Sequence, residues 1–147
     1  MQEEFKSPRN PENKPITEGK GYFEYSDDIT YNGSWNQAKR NGIGLLVNKR
    51  QGWQYFGSFK DNQQNGFGIY SWFSGDTYTG YFKDNEKSGF GVYNWANGAK
   101  YRGYWKLNSK EGLGEYVYPD KSYYFGFYCN DKPDGVGSYS WPDGNYY

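Results

Sequence analysis

Few residues in this chain could do chemistry. Cys129 is the one thiol, histidine is absent, and 17 acidic residues face 17 basic ones for a net charge of zero. Without histidine there is no Ser-His or Cys-His nucleophilic pair and no imidazole base at neutral pH. One cysteine cannot build a zinc thiolate cage. Asp27 and Asp28 come nearest to a carboxylate pair, yet neighbouring side chains on a strand point to opposite faces, and the two occupy a turn position. Cys129 reads as an inert thiol. The Gly-x-Gly triplets beginning at Gly19, Gly42, Gly66, Gly89, Gly112 and Gly135 raise the thought of a phosphate loop, but such a loop joins a strand to a helix. Here the triplet recurs inside strands. No catalytic, cofactor-binding or metal-ligating residue is assigned, no cofactor is expected, and the chain reads as a non-enzyme.

The elements that could position a functional surface are set by an unusual composition. Leu, Ile and Val total 12 in 147 residues and the mean hydropathy is -1.15, which alone would argue for disorder. Against that stand 18 Tyr, 10 Phe and 6 Trp beside 21 Gly. Tyr and Trp bury a large apolar body behind a polar tip, so the interior must be aromatic packed on glycine. Residues 1–18 hold Pro8, Pro11 and Pro15 with mixed charge and little apolar content, and read as a flexible, disordered arm. No signal peptide is recognised there, and no run of 18 apolar residues follows. A soluble, intracellular protein is expected.

Self-similarity decides the organisation. The Gly-x-Gly triplets recur at steps of 23 or 24, and a Tyr-x-Gly triplet beginning at Tyr31, Tyr55, Tyr78, Tyr101 and Tyr124 precedes each later one by 11 residues. Four residues after each such Tyr comes Trp35, Phe59, Phe82, Trp105 or Tyr128. Alternation at every second position, with only three Ala in the chain, makes each unit two short strands. In the third unit Tyr78, Gly80 and Phe82 share one face, residues 84–88 form a polar loop, and Asn97-Gly98 turns into the next unit. Glycine weakens a strand unless something occupies the space. Each glycine is therefore expected to receive a ring from a neighbouring strand, in one all-β antiparallel meander that grows by two strands per unit. The domain spans 19–147: a half repeat at 19–30, then repeats starting at 31, 55, 78, 101 and 124.

The pattern Tyr-x-Gly-x-(Trp/Phe), Gly-x-Gly, aromatic-x-aromatic and (Asp/Asn)-Gly closely resembles the MORN repeat, the membrane occupation and recognition nexus unit. The resemblance implies an elongated, twisted antiparallel sheet with a groove, a repeat solenoid. It also implies a scaffold of the kind found in radial spoke heads of cilia, cortical cytoskeletal structures and junctional membrane proteins, or as an accessory region of some lipid kinases and methyltransferases. Three departures stand out. The first full unit carries Leu46 and Asn48 at aromatic positions with an extra residue near Gln51-Gly52, the fourth has Asp120-Lys121 where glycine belongs, and the sequence stops at Tyr146-Tyr147.

Candidate partner contacts follow from the face opposite the aromatic one. The residue between the two glycines is always apolar (Ile43, Phe67, Phe90, Leu113, Val136), and Tyr81 and Tyr104 join that stripe. Trp141, Tyr146 and Tyr147 mark the C-terminal edge. That edge is expected to be covered by a strand from a partner in a large assembly, with a weak homodimer when the protein is isolated. From Ile29 to Lys60 there are five bases and no acid. Lys39, Arg40, Lys49, Arg50 and Lys60 are therefore candidate contacts for an acidic partner or for anionic lipid, the latter weak. Nucleic acid is not expected, because no face joins aromatics to a dense basic track. The function this supports is a structural scaffold and protein-interaction module, placed by the resemblance in a ciliary or cortical cytoskeletal assembly. The alternative is a phosphoinositide or anionic-membrane adaptor.

Overall fold

The computed structural model describes residues 16–147. Eleven strands follow one another as a meander: β1 Glu18–Ser26, β2 Ile29–Asn36, β3 Lys39–Asn48, β4 Trp53–Lys60, β5 Gln63–Trp72, β6 Thr77–Lys83, β7 Glu86–Asn94, β8 Lys100–Lys106, β9 Ser109–Val117, β10 Tyr123–Cys129 and β11 Lys132–Ser140. They form a single open antiparallel sheet in sequence order, with no helix among the described residues. The expected arm over 1–18 lies outside the described residues up to residue 15. Its last three residues pack against or join the sheet instead. Ile16 is buried against Gly21, Thr17 accepts a backbone hydrogen bond from Ala38, and Glu18 opens β1.

The two glycines of each triplet do different work. The second one pairs with a glycine on each neighbouring strand, so Gly21, Gly33, Gly44, Gly57, Gly68, Gly80, Gly91, Gly103, Gly114, Gly126 and Gly137 form one line across all eleven strands. On this strip of bare backbone lie the repeat tyrosines. The ring of Tyr78 covers Gly80 and Gly91 so closely that a Cβ on either glycine would collide with it, and Tyr31, Tyr55, Tyr101 and Tyr124 do the same in their units. Each of the first four phenols donates a 3.0 Å hydrogen bond to the carbonyl three residues on, at Ser34, Ser58, Tyr81 and Tyr104. All four rings are 0% exposed.

From Gly42 onward the first glycine of each triplet absorbs a bulge. Opposite Tyr81 alone, β7 runs through Ser88, Gly89 and Phe90, with Gly89 at φ 80°, a conformation that costs glycine little. This bulge shortens the loop expected over 84–88. Only Asp84 and Asn85 form the turn, at φ 51° and 69°, the two-residue hairpin whose twist matches the strands. Asn85 then clamps its unit to the one before: its N–H donates to the Gln64 carbonyl, and its Oδ1 accepts from the Gln64 N–H at 2.8 Å. Asn62, Asn108 and Asp131 repeat this clamp on Arg40, Lys87 and Lys110.

Rings pack edge-on in an unbroken series. Tyr78 meets Phe82 at 5.1 Å and Trp105 at 5.4 Å between centroids, both near perpendicular. Phe82 reaches back to Tyr55, and Trp105 forward to Tyr101. This is the geometry that the ring quadrupole favours. At the N-terminal end, Ile16 stands over Gly21, the place a repeat tyrosine would take.

Two predictions follow from this packing. In the turn after β9, Lys121 stands where other units have glycine and adopts φ 74°, while Lys121 N–H still donates to the Tyr118 carbonyl. Lys121→Gly should therefore raise unfolding stability by about 1 kcal/mol in a denaturant titration. Burial pushes the phenol of Tyr31 up from its ordinary value to about 12 and those of Tyr55, Tyr78 and Tyr101 higher still. A phenol whose proton is held more tightly in the folded state contributes its full stability below the unfolded value and loses it as pH rises through the folded one. The protein should hold its stability up to pH 10 and then unfold, with these tyrosines ionising in step with the loss of β-sheet circular dichroism rather than before it.

Candidate partner-binding faces

The sheet is one layer thick, so its two faces are built separately. On the glycine-strip face the rings bury one another. On the other, side chains alternate out into solvent: Ile43, Phe67, Tyr81, Phe90, Tyr104 and Leu113 are 39 to 53% exposed, and Val136 more so. The register joins them into a row. Phe67 pairs with Tyr81, Phe90 with Tyr104 and Leu113 with Phe127. The first two pairs stack edge-on, with centroids 5.6 and 5.8 Å apart. Phe127, Phe56, Ile69 and Phe125 extend this apolar face and were not among the expected contacts. The alternation along β4, β5 and β10 was the signal for them.

Trp141 does not belong to that row. Its ring packs on Tyr139, beside Tyr118 on the ring-bearing face, and its backbone N–H donates to the Asn145 carbonyl. Tyr146 and Tyr147 are 82 and 91% exposed, but the backbone of Tyr147 exchanges two hydrogen bonds with Tyr139. The last residues thus pair with one end of β11, so the edge expected to take a partner strand is partly covered by the chain itself. From Lys132 to Ser138, β11 has no neighbour on that side among the described residues.

The five bases do not gather. Lys39 and Lys60 flank the two-residue turns at one rim of the sheet, and Lys39 lies 3.6 Å from Asp61. Lys49 and Arg50 sit in the turn at the opposite rim, the whole length of β3 away, about 30 Å at strand rise. Arg40 turns inward over the rings of Tyr25, Tyr31 and Phe59, where its guanidinium also donates to the Asn62 carbonyl. Asp27 and Asp28 form the β1–β2 turn, and the described residues contain no cluster of metal-ligating side chains.

Arg40 shows a site that sequence reasoning missed. At the equivalent position, two before the first glycine, stand Gln64, Lys87 and Lys110. Lys87 Nζ lies 4.7 Å from the Trp105 centroid, 5.0 Å from Tyr93 and 5.6 Å from Tyr78. Lys110 Nζ lies 5.0 Å from Tyr116 and 5.6 Å from both Tyr101 and Tyr128. Burial among the rings holds both ammonium groups below the usual lysine value, with a smaller opposing pull from Asp131. Where Gln64 interrupts the row and Leu46 replaces an aromatic, the rings leave a recess of about 280 Å³ bordered by Arg40, Phe59 and Tyr70.

A family model described as the MORN repeat matches residues 31–49, 55–77, 78–100, 101–123 and 124–146. The chain belongs to the MORN-repeat family. MORN repeats are a non-enzymatic repeat module that points to protein interaction and scaffolding. No curated protein sequence matches this MORN chain. Among solved structures it is similar to the SAS-4 (dCPAP) TCP domain of Drosophila melanogaster, solved in complex with a proline-rich motif of Ana2 (dSTIL). Identity is 16% and the TM-score 0.40, over 86% of this chain and 75% of that one, a likeness too distant to carry an argument about function. No helix of the described residues is long and apolar enough to cross a membrane.

Proposed function

We propose that this MORN-repeat protein is a non-enzymatic structural scaffold that docks protein partners, as a subunit of a ciliary axonemal assembly of the radial spoke type or of a cortical cytoskeletal one. The observation that carries the scaffold reading is the apolar row on a sheet with no second layer. Rings at Phe67, Tyr81, Phe90 and Tyr104 stand half exposed and in pairs. A contiguous apolar patch of this kind is what interaction surfaces present, and aromatic residues are enriched where binding energy concentrates. The assembly is drawn from the habits of the family. The free side of β11 offers a second attachment by strand addition. The membrane-adaptor alternative needs the five bases on one surface, and their separation across two rims and one aromatic face speaks against it.

A photo-reactive phenylalanine analogue at position 90 should form adducts with protein in the native source, at the row itself. The double variant Tyr81→Ser with Tyr104→Ser should abolish those adducts. It removes two exposed edge-on pairs, each worth at most about 1.5 kcal/mol, so the protein should remain folded. Adducts to lipid alone, or protein adducts unaffected by the double variant, would contradict this reading.

A further inference from the structure

We propose that the ring-bearing face is a track for an acidic, proline-rich segment of a partner protein, bound in the polyproline II conformation with carboxylates three residues apart on Lys87 and Lys110. This surface lies on the other side of the sheet from the apolar row, so the two assignments can fail independently.

The first argument is charge. Lys87 and Lys110 hold their ammonium groups over rings of three and four aromatic residues respectively. The ion pairs among the described residues, Lys39 with Asp61 and Arg102 with Glu115, involve neither of them. Among the described residues Asp131 is the carboxylate whose field reaches both, and it makes no ion pair with either, accepting instead the backbone N–H of Lys110 through Oδ1. Two partly desolvated cations therefore lie on ring faces with no ion-pair partner among the described residues. An approaching carboxylate supplies what they lack, in surroundings where a charge-assisted hydrogen bond is strong.

The second argument is spacing. β7 and β9 are two strands apart, and the two lysines occupy equivalent positions on them, so they stand about 9.6 Å apart at a strand separation of ~4.8 Å. A polyproline II helix rises about 3.1 Å per residue with three residues per turn, or about 9.3 Å between side chains on one face. A β-strand offers about 6.7 Å between same-face side chains, or twice that, and fits neither way. A polyproline II segment crossing the strands therefore keeps step with the repeat. It would run over rings of the kind that bind such helices, Tyr93 and Trp95 in one unit and Tyr116 and Tyr118 in the next. Continued past Lys87 it reaches the recess at Gln64, which admits an apolar side chain, and then Arg40.

The test uses the full chain and fluorescent peptides, read by polarisation and by the tryptophan emission of the protein. A peptide of Glu-Pro-Pro triplets should bind. Lys87→Met and Lys110→Met should each weaken it about tenfold, the loss expected for one charge-assisted contact. A Glu-Pro repeat, which breaks the three-residue step on an unaltered protein, should bind about tenfold more weakly. Lys83→Met and Lys106→Met, on the other face, should change nothing. Equal binding of the two peptides, indifference to Lys87 and Lys110, or capture of phosphoinositide vesicles through these lysines with no peptide binding would each overturn the proposal. So would peptide binding that emerges only after Glu3, Glu4 and Glu12 are changed to Gln, which would make this chain's own N-terminal segment the occupant.

Discussion

A tyrosine ring lying on paired glycines is the contact on which the rest of this sheet depends. A single-layer sheet has no second sheet or helix to bury its face, so the apolar material must come from the sheet's own side chains laid flat. That requires a place with no side chain beneath. The glycine line supplies it on every strand, and the tyrosine of each unit covers two of those glycines at once. The phenol reaches a backbone carbonyl at the far side, so the one polar atom carried into the interior is satisfied. Substituting these glycines is costly for a reason distinct from backbone strain, because the line itself has ordinary strand dihedrals.

From that contact the other features follow. Once the tyrosine is flat, its two edges face the neighbouring units, and the Trp, Phe or Tyr four residues later stands edge-on between successive tyrosines. Order is passed from unit to unit by these rings and by Asn62, Asn85, Asn108 and Asp131 at the hairpin tips, each gripping the preceding unit. The same grip fixes the backbone of Arg40, Gln64, Lys87 and Lys110, which is why their side chains enter the ring face instead of spreading into solvent. Structure and candidate binding site are thus made by one device, with the opposite face left free.

Much of this was legible in the residues. The step of 23, the pairing of strands and the glycine-aromatic alternation are periodic, and periodicity survives without knowledge of tertiary contacts. What escaped was local and aperiodic. The residues alone place Lys87 in a polar loop over 84–88, since nothing in Asp-Asn-Glu-Lys-Ser announces a two-residue turn without glycine. Only the bulge at Gly89 moves Lys87 into the strand, and with it the cationic row came into view. The spatial spread of the five bases escaped for the converse reason. Bases close in sequence were separated by strand length and by face, as Arg40 and Lys49 show. Ile16 and the return of Tyr147 to Tyr139 depend on single side chains and backbone paths at the ends of the array, where the repeat no longer instructs.

The most direct test of the ring-on-glycine contact is a double-mutant cycle between Tyr101 and Gly114, read as unfolding free energy. Gly114 has ordinary strand dihedrals, and an added Cβ would collide with the Tyr101 ring. Gly114→Ala should cost about 1 to 3 kcal/mol with Tyr101 in place, as an overpacking defect. In a Tyr101→Ala background the space is vacated and most of that cost should vanish, leaving a coupling of at least about 1 kcal/mol. Equal costs in the two backgrounds would show that the glycine is required for some reason other than the ring above it, and would contradict the account.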